Sequence, residues 1–321
     1  MRYIGIDLGG TNIAVGITDG EGRILSKCSV KTETERGTDA ILSRMADTAR
    51  RLAKETGTPW EDITSVGIGS PGAVDVQSGM VLSASNLGFR DVRLGERMQT
   101  LLQKPVYVEN DANCAALAEA RLGAARGCRE CVMITLGTGI GGGLVIGGKL
   151  YGGFNGFGGE LGHAVIDKNG EPCVCGKRGC FETYASATAL VRQTRRAAEQ
   201  DRTSLLWACS KEEGKFSGKT AFVAARRGDK TAQGVVERYI DYLATGLVNI
   251  IKILQPEVIV IGGGVSHEGA HLFEPLTKQV MHWAYRDYIP ADKRASIKAA
   301  ELGNDAGIVG AALVAKEGDT V

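Results

Sequence analysis

Apolar residues in this chain follow two periods, and the switches between them mark its elements. Near the start, Ile4 and Ile6 alternate with small or polar residues, and after Gly9, Gly10 and Thr11 the alternation resumes at Ile13, Val15 and Ile17. A period of two on both sides of a glycine-rich break predicts two strands about a tight turn. The stretch "GRILSKCSVKT" predicts a third strand. The period then lengthens: Ile41, Leu42, Met45, Ala49 and Leu52 share one helical face of "TDAILSRMADTARRLAKETG", and Gly57 stands past its end. "SVGIGSPG" and "PVYVEN" predict short buried strands, and the alanine-rich "DANCAALAEARLGAARG" predicts a helix capped by Asn110 or Asp111. The opening pattern then returns, since "ECVMITLGTGIGGGLVIGGKLY" is again strand, Gly/Thr turn, strand. This is an internal duplication, with two similar lobes each opening on a glycine-turn hairpin. Further on come a long helix in "VVERYIDYLATGLVNIIKIL", a strand running into glycines in "PEVIVIGGGVS", and a small-residue helix in "NDAGIVGAALVAKEG". Strands interleaved with helices predict an α/β chain with mixed sheets.

Composition narrows the function. The 321 residues, 43% hydrophobic, suffice for two such lobes. With 38 basic and 37 acidic residues the net charge is +1, without the basic excess that a nucleic-acid or membrane-surface partner calls for. No apolar run is long enough to span a bilayer. "MRYIGIDLGG" enters a strand pattern at once, with no signal-peptide architecture, so a cytoplasmic protein is expected. In that reducing compartment, clustered members of the eight cysteines are metal ligands before they are disulfides. A lone C-x-x-C at Cys128 and Cys131 lacks the second pair of a zinc ribbon. The 45 glycines cluster beside strands, where a backbone can approach a ligand closely.

"DLGGT" (Asp7–Thr11) and "LGTGIGGG" (Leu136–Gly143) can each present backbone N–H groups and threonine hydroxyls to anionic oxygens. Gly137, Gly139 and Gly142 do satisfy G-x-G-x-x-G, but "LVIGGKLY" after them reads as a strand, whereas a dinucleotide fingerprint opens a helix. Gly218-Lys219-Thr220 ends like a P-loop, yet Gly214 is one residue too close and a polar segment precedes it, so a solvated loop and helix start is expected there. Asp111 stands where a strand gives way to a helix. A carboxylate there suits phosphoryl transfer, which asks for positioning and a group to take the hydroxyl proton. From the residues alone it could equally be a helix cap. His163, Cys173, Cys175 and Cys180 form H-x9-C-x-C-x4-C, a Cys₃His set suited to a closed structural zinc site. Glu160 and Glu182 stand at the two ends of that stretch.

"DLGGTN", "LGTGIGGG" and "GGGVS" resemble the two phosphate motifs and the adenosine motif of the sugar kinase, Hsp70 and actin superfamily. The resemblance implies two ribonuclease-H-like (actin-like ATPase) lobes with ATP in the cleft between them. It implies nucleotide contacts at Asp7, Gly9, Gly10, Thr11, Asn12, Thr138, Gly139, Gly263 and Gly264, with Asp7 reaching Mg²⁺ through water. "ELGH" followed by "CVCGKRGCFE" resembles the signature of the ROK kinases, and "END" before the alanine-rich helix resembles their base-bearing motif. That likeness covers essentially the whole chain. It implies Asp111 as the catalytic base, sugar contacts at Gly72, Asn86, Asn110, Glu160, His163 and Glu182, and zinc on His163, Cys173, Cys175 and Cys180. The lobes are then expected at 1–118, joined by helix 304–321, and at 119–303, carrying the zinc loop 160–182.

Within the family the chain resembles bacterial glucokinases, through "SPGAVD", "GMVLSASNLGF" and "GCFETYASATAL", which implies ATP-dependent phosphorylation of the 6-hydroxyl of glucose. Phe89 departs from the tryptophan common after "NLG", which keeps N-acetylmannosamine, mannose and allose in view as acceptors. Sugar-responsive repressors of the family carry a helix-turn-helix domain first, and here a strand begins at about residue 2. A catalytically silent sugar-binding regulator is the remote alternative. The family implies a homodimer or homotetramer.

Overall fold

The computed structural model describes residues 1–285 and 289–318. By compactness the chain forms two units. The first comprises Met1–Arg129, Gly143–Gly159 and Glu301–Val321, and the second Glu130–Gly142 and Glu160–Ala300.

The first part of the chain builds β1 (Arg2–Leu8), β2 (Asn12–Asp19), β3 (Ile24–Lys31), α1 (Thr38–Glu55), β4 (Ile63–Ser70), β5 (Ala73–Asp75), β6 (Met80–Ala84), β7 (Phe89–Val92), α2 (Leu94–Leu102), β8 (Val106–Asn110) and α3 (Asp111–Leu122). Five of these strands make a sheet of order β3-β2-β1-β4-β8. Its first three strands run antiparallel and β1, β4 and β8 run parallel. The face of α1 read from the sequence is the face that packs: Ile41, Leu42, Met45, Ala49 and Leu52 are all buried in the core beneath the sheet. A separate antiparallel sheet, β5-β6-β7, contributes Val74, Val81 and Phe89 to the same core.

There follow β9 (Cys131–Leu136), β10 (Ile140–Ile146), β11 (Lys149–Leu150), α4 (Glu182–Ala185), α5 (Ala187–Gln200), α6 (Leu206–Glu212), α7 (Thr220–Arg226), α8 (Lys230–Leu254), β12 (Val258–Gly262), α9 (Ala270–Ala284), β13 (Ser296–Ala299) and α10 (Ala306–Gly318). The second sheet has order β11-β10-β9-β12-β13, with β12 parallel to both β9 and β13. Each sheet thus carries its strands in the spatial order third, second, first, fourth, fifth, which is the duplication seen in the glycine-turn hairpins. The segment after Gly142 is a strand, and Thr220 opens a helix, so neither glycine-rich near-match has the context of a dinucleotide fingerprint or a P-loop.

The helix α10 returns to the first unit and lies flat on it. A Cβ on Gly67 would fall 1.8 Å from the carbonyl oxygen of Ala311, and one on Gly310 would fall 1.8 Å from that of Cys114. Only glycine permits backbones this close. Residues 319–321 of the expected helix 304–321 lie outside the described residues. The first unit extends beyond residue 118 because α3 runs to Leu122 and its Glu119 is a fully buried tie. The Glu119 carboxylate accepts hydrogen bonds from the backbone N–H groups of Ala124 at 2.8 Å, Glu301 at 3.2 Å and Leu302 at 2.8 Å, joining the end of α3 to the chain that enters α10.

Candidate functional site

The residues singled out from the sequence fall into two sets, one in each unit. Asp7, Gly9, Gly10, Thr11, Asn12, Gly72, Asn86, Asn110 and Asp111 belong to the first. Thr138, Gly139, Glu160, His163, Cys173, Cys175, Cys180, Glu182, Gly263 and Gly264 belong to the second.

In the first unit, the sheet register gathers the carboxylates. Asp7 of β1 pairs with Gly69 of β4, and Gly69 pairs with Glu109 of β8. The carboxyl ends of three parallel strands therefore meet at one edge, the position where open α/β sheets hold ligands. Burial pushes the Asp7 carboxyl up to about 6. The first turn of α10 rests on it, since a Cβ on Gly307 would lie 2.5 Å from Asp7 Cγ. The adjoining turn is closed by Gly9 N–H donating to Asn12 O at 3.0 Å, and is held from beneath by the Thr32 hydroxyl donating to Gly9 O at 2.6 Å. Thr32 has no motif signal, because its role depends on β3 lying beside the loop. Asp7, Gly9, Gly10, Thr11 and Asn12 together line a cavity of about 680 Å³. Asn86 stands beside Gly10, where a Cβ would lie 3.3 Å from the Asn86 Cβ.

The start of α3 divides its duties. Asn110 is the N-cap: its Oδ1 accepts from Ala112 N–H at 2.9 Å and Asn113 N–H at 3.2 Å, and its Nδ2 donates to Gly72 O at 3.2 Å. Gly72 has φ of 89°, and a Cβ there would fall 2.0 Å from Ser83 O. Asp111 is the first helical residue, so capping does not fall to it, and its Oδ1 accepts from Ala112 N–H at 2.8 Å. A carboxylate at this point lies on the positive end of the helix dipole. Burial first, and then the charges of Glu109, Asp7 and Asp111, push the Cys114 thiol well above its ordinary range, so it is an inert buried thiol.

Glu109 is buried and accepts from Asn110 N–H at 2.7 Å and Asn113 Nδ2 at 2.9 Å, both on Oε1. Burial, partly offset by these two bonds, raises its carboxyl above the usual range. The folded protein therefore holds this proton more tightly than the unfolded chain does. Its stabilising effect is complete below the unfolded carboxyl's range and is lost as pH rises through the folded value. We expect Glu109→Gln, which keeps the Oε1 acceptor and adds no charge, to raise the Tm at pH 8 and to lose that advantage towards pH 4. Thermal unfolding followed across this range checks it.

In the second unit, the glycine loop after β9 is closed by Gly137 N–H donating to Gly139 O at 3.0 Å, and Thr138 is exposed at its tip. Gly263, with φ of 88°, lies against the end of β9: a Cβ there would fall 2.3 Å from Leu136 O. The glycines after β12, Gly263 and Gly264, therefore sit beside the Thr138 loop.

The cysteine stretch folds back on itself. Gly179, with φ of 75°, passes so close to Asp167 that a Cβ would fall 1.5 Å from its carbonyl oxygen. Tyr184 braces the loop from α4: its hydroxyl donates to Asp167 Oδ2 at 3.2 Å and accepts from Glu171 N–H at 2.8 Å. The result brings one nitrogen of His163 and the sulfurs of Cys173, Cys175 and Cys180 within 4.8 Å of one another. Cys175 Sγ lies 3.5 Å from Cys180 Sγ, and Cys173 Sγ lies 3.7 Å from His163 Nδ1. Zinc bonds of about 2.3 Å to sulfur and 2.0–2.1 Å to nitrogen give tetrahedral edges of roughly 3.5–3.8 Å. Donor set and spacing thus fit a four-ligand metal site.

Around the same imidazole stand both glutamates. Glu182 Oε1 is 3.5 Å from His163 Nδ1 and accepts from Cys173 Sγ at 3.0 Å, and Glu160 Oε2 is 4.0 Å from His163 Nε2. The other oxygen of Glu182 accepts from Ile140 N–H at 3.4 Å, beside Gly139. One carboxylate therefore touches both the cysteine cluster and the glycine loop. Phe89, which stands where tryptophan is common after "NLG", is 3% exposed and lies within the core. No described helix is long and apolar enough to cross a membrane.

Two sheets of one duplicated strand order, each with a glycine–threonine loop after its first strand, define the ribonuclease-H-like units of the actin-like ATPase class. The chain belongs to the ROK family, whose model matches residues 3–318. It is 39% identical to the glucokinase of Thermotoga maritima over 318 residues, covering 99% of this chain and 98% of that one. A ROK family glucokinase from Streptomyces griseus, solved in complex with glucose and AMPPNP, is 36% identical with a TM-score of 0.84, covering 99% of this chain and 100% of the other. A ROK hexokinase from Thermus thermophilus is 35% identical with a TM-score of 0.82, covering 100% and 99%.

Proposed function

We propose that the protein is a glucokinase, transferring the γ-phosphoryl group of MgATP to the 6-hydroxyl of glucose. The observation that carries this reading is the sheet edge of the first unit. It holds a phosphate-type glycine loop with Asp7, and two strands away Asp111 at the head of α3, relieved of capping by Asn110. Whole-length likeness to two glucokinases, one with glucose and AMPPNP bound, supports both substrates.

In this reading the N–H groups and hydroxyls of the loops at Gly9–Asn12 and at Thr138 and Gly139 hold phosphate oxygens, with Gly263 and Gly264 along the adenosine. Glu160 and Glu182 accept paired hydrogen bonds from vicinal sugar hydroxyls. His163 turns Nδ1 to the cysteines and keeps Nε2 for the sugar, in the manner of ligand histidines whose second nitrogen has a partner. Asn86, Asn110 and the backbone at Gly72 orient the hydroxymethyl group. The Asp111 carboxylate takes the hydroxyl proton as that oxygen attacks the γ-phosphorus, in a transfer that depends on positioning and charge. Bound Mg²⁺ would neutralise phosphate charge beside Asp7, through its water shell, and zinc on four protein ligands would fix the loop.

The departure at Phe89 gives no ground for another sugar, because that side chain lies in the core. A coupled ADP-release assay over glucose, N-acetylmannosamine, mannose and allose should rank glucose first by kcat/KM. If N-acetylmannosamine ranked above it, the glucokinase reading would fail. Glucose binding with no ADP release for any sugar would favour a silent regulator.

A further inference from the structure

The cavity beside the first glycine loop contains a pair of charges that the proposed reaction leaves without a role. Lys27 of β3 donates to both carboxylate oxygens of Asp305, at 2.6 and 2.7 Å. Asp305 precedes α10, so the pair joins the edge of the sheet to the start of the helix that rests on Asp7. Both side chains line the same cavity as Asp7, Gly10 and Thr11. Among the described lining residues, Lys27 is the one basic side chain, facing the two carboxylates Asp7 and Asp305.

A polyphosphate seated on the Gly9–Thr11 turn would bring several negative charges beside those carboxylates. Backbone N–H groups carry only partial charges. Mg²⁺ beside Asp7 would offset part of that charge, and a movable side-chain cation can offset more of it. The Lys27 side chain is 51% exposed and that of Asp305 37%. An ion pair this exposed favours its closed form by no more than about fivefold. An ammonium on a flexible four-carbon stem exchanges partners readily, whereas a forked guanidinium is held by its geometry. We propose that Lys27 is a phosphate-positioning residue, parked on Asp305 in the free protein and transferred to the terminal phosphates when the nucleotide binds. This deepens the kinase reading and rests on it.

Binding of MgAMPPNP, measured by calorimetry without sugar, tests the idea apart from turnover. Lys27→Met should weaken the analogue roughly tenfold or more, the effect of losing one charge-assisted bond to phosphate. It should also flatten the dependence of affinity on salt. Lys27→Arg should recover most of the binding, and Lys54→Met, an exposed lysine of α1, should leave it unchanged. Asp305→Asn, by releasing Lys27, should tighten the analogue by about two- to fivefold, and should do nothing when Lys27 is already methionine. If Lys27→Met binds MgAMPPNP within twofold of the native protein, the proposal is overturned and the kinase reading stands. If Asp305→Asn weakens binding, the parking role is wrong. Failure of the native protein to bind MgAMPPNP would overturn both.

Discussion

Asp111→Asn is expected to lower kcat by about a thousandfold while leaving glucose affinity within twofold and the Tm unchanged. General-base catalysis contributes 10²–10⁴-fold in typical enzymes, and a thousandfold loss corresponds to about 4 kcal/mol of barrier. The substitution isolates basicity from structure. Asparagine keeps an oxygen that can accept the Ala112 N–H bond, and the cap of α3 is Asn110, whose bonds to Ala112, Asn113 and Gly72 are untouched. The amide is no longer a base. Single-turnover kinetics and glucose calorimetry on the same preparation separate the two effects. A variant with kcat within tenfold of native would remove Asp111 from the reaction and leave the fold and family untouched.

The sequence made some of this arrangement legible and hid the rest for identifiable reasons. Local periodicity exposed the glycine-turn hairpins, α1 and α3, because both strands of a hairpin, or both faces of a helix, lie within one short window. The strand order common to the two sheets follows from that repetition. The helix cap was ambiguous at sequence level because asparagine and aspartate are both good N-caps. Only the hydrogen bonds of Asn110 decide between them. The strand β13 left no signal: it is short, lies at a sheet edge and is mostly exposed, so it has no apolar alternation. Phe89 misled for the opposite reason, since an aromatic residue after a loop reads alike whether it faces a sugar or a core. Contacts made by register or by return of the chain were invisible. Asp7 meets Glu109 through Gly69, Lys27 meets Asp305 across 278 positions, and Glu182 bridges the cysteine cluster to Ile140. The residue types were readable, and their juxtaposition was not.

Metal analysis of the purified protein is expected to give about one zinc per chain, and Cys175→Ser to remove both the zinc and most of the glucose affinity. Cys175 is the informative position because it is exposed, so serine there opens no cavity, whereas Cys180 is fully buried and its loss would confound packing with coordination. The coupling to sugar runs through two contacts. His163 would spend Nδ1 on the metal and so hold its ring, and with it Nε2, in one orientation facing Glu160. Glu182 Oε1 lies 3.5 Å from the same imidazole, so a ring fixed by the metal would also limit where that carboxylate stands. Glu182 has further support from Ile140 and from its place at the head of α4, but Glu160 is 61% exposed, and the loop's fold decides where it stands. Loss of groups that orient a metal ligand typically costs 10–100-fold in affinity or activity, and the same range is expected here for glucose binding. Chelation of the native protein should reproduce the loss, and added zinc should reverse it in the native chain but not in Cys175→Ser. Calorimetry with glucose alone keeps this readout independent of Asp111 and of the nucleotide. Native glucose affinity in a protein shown to be metal-free would mean that the loop holds Glu160 and His163 without the metal, and the cluster would then be a matter of stability alone.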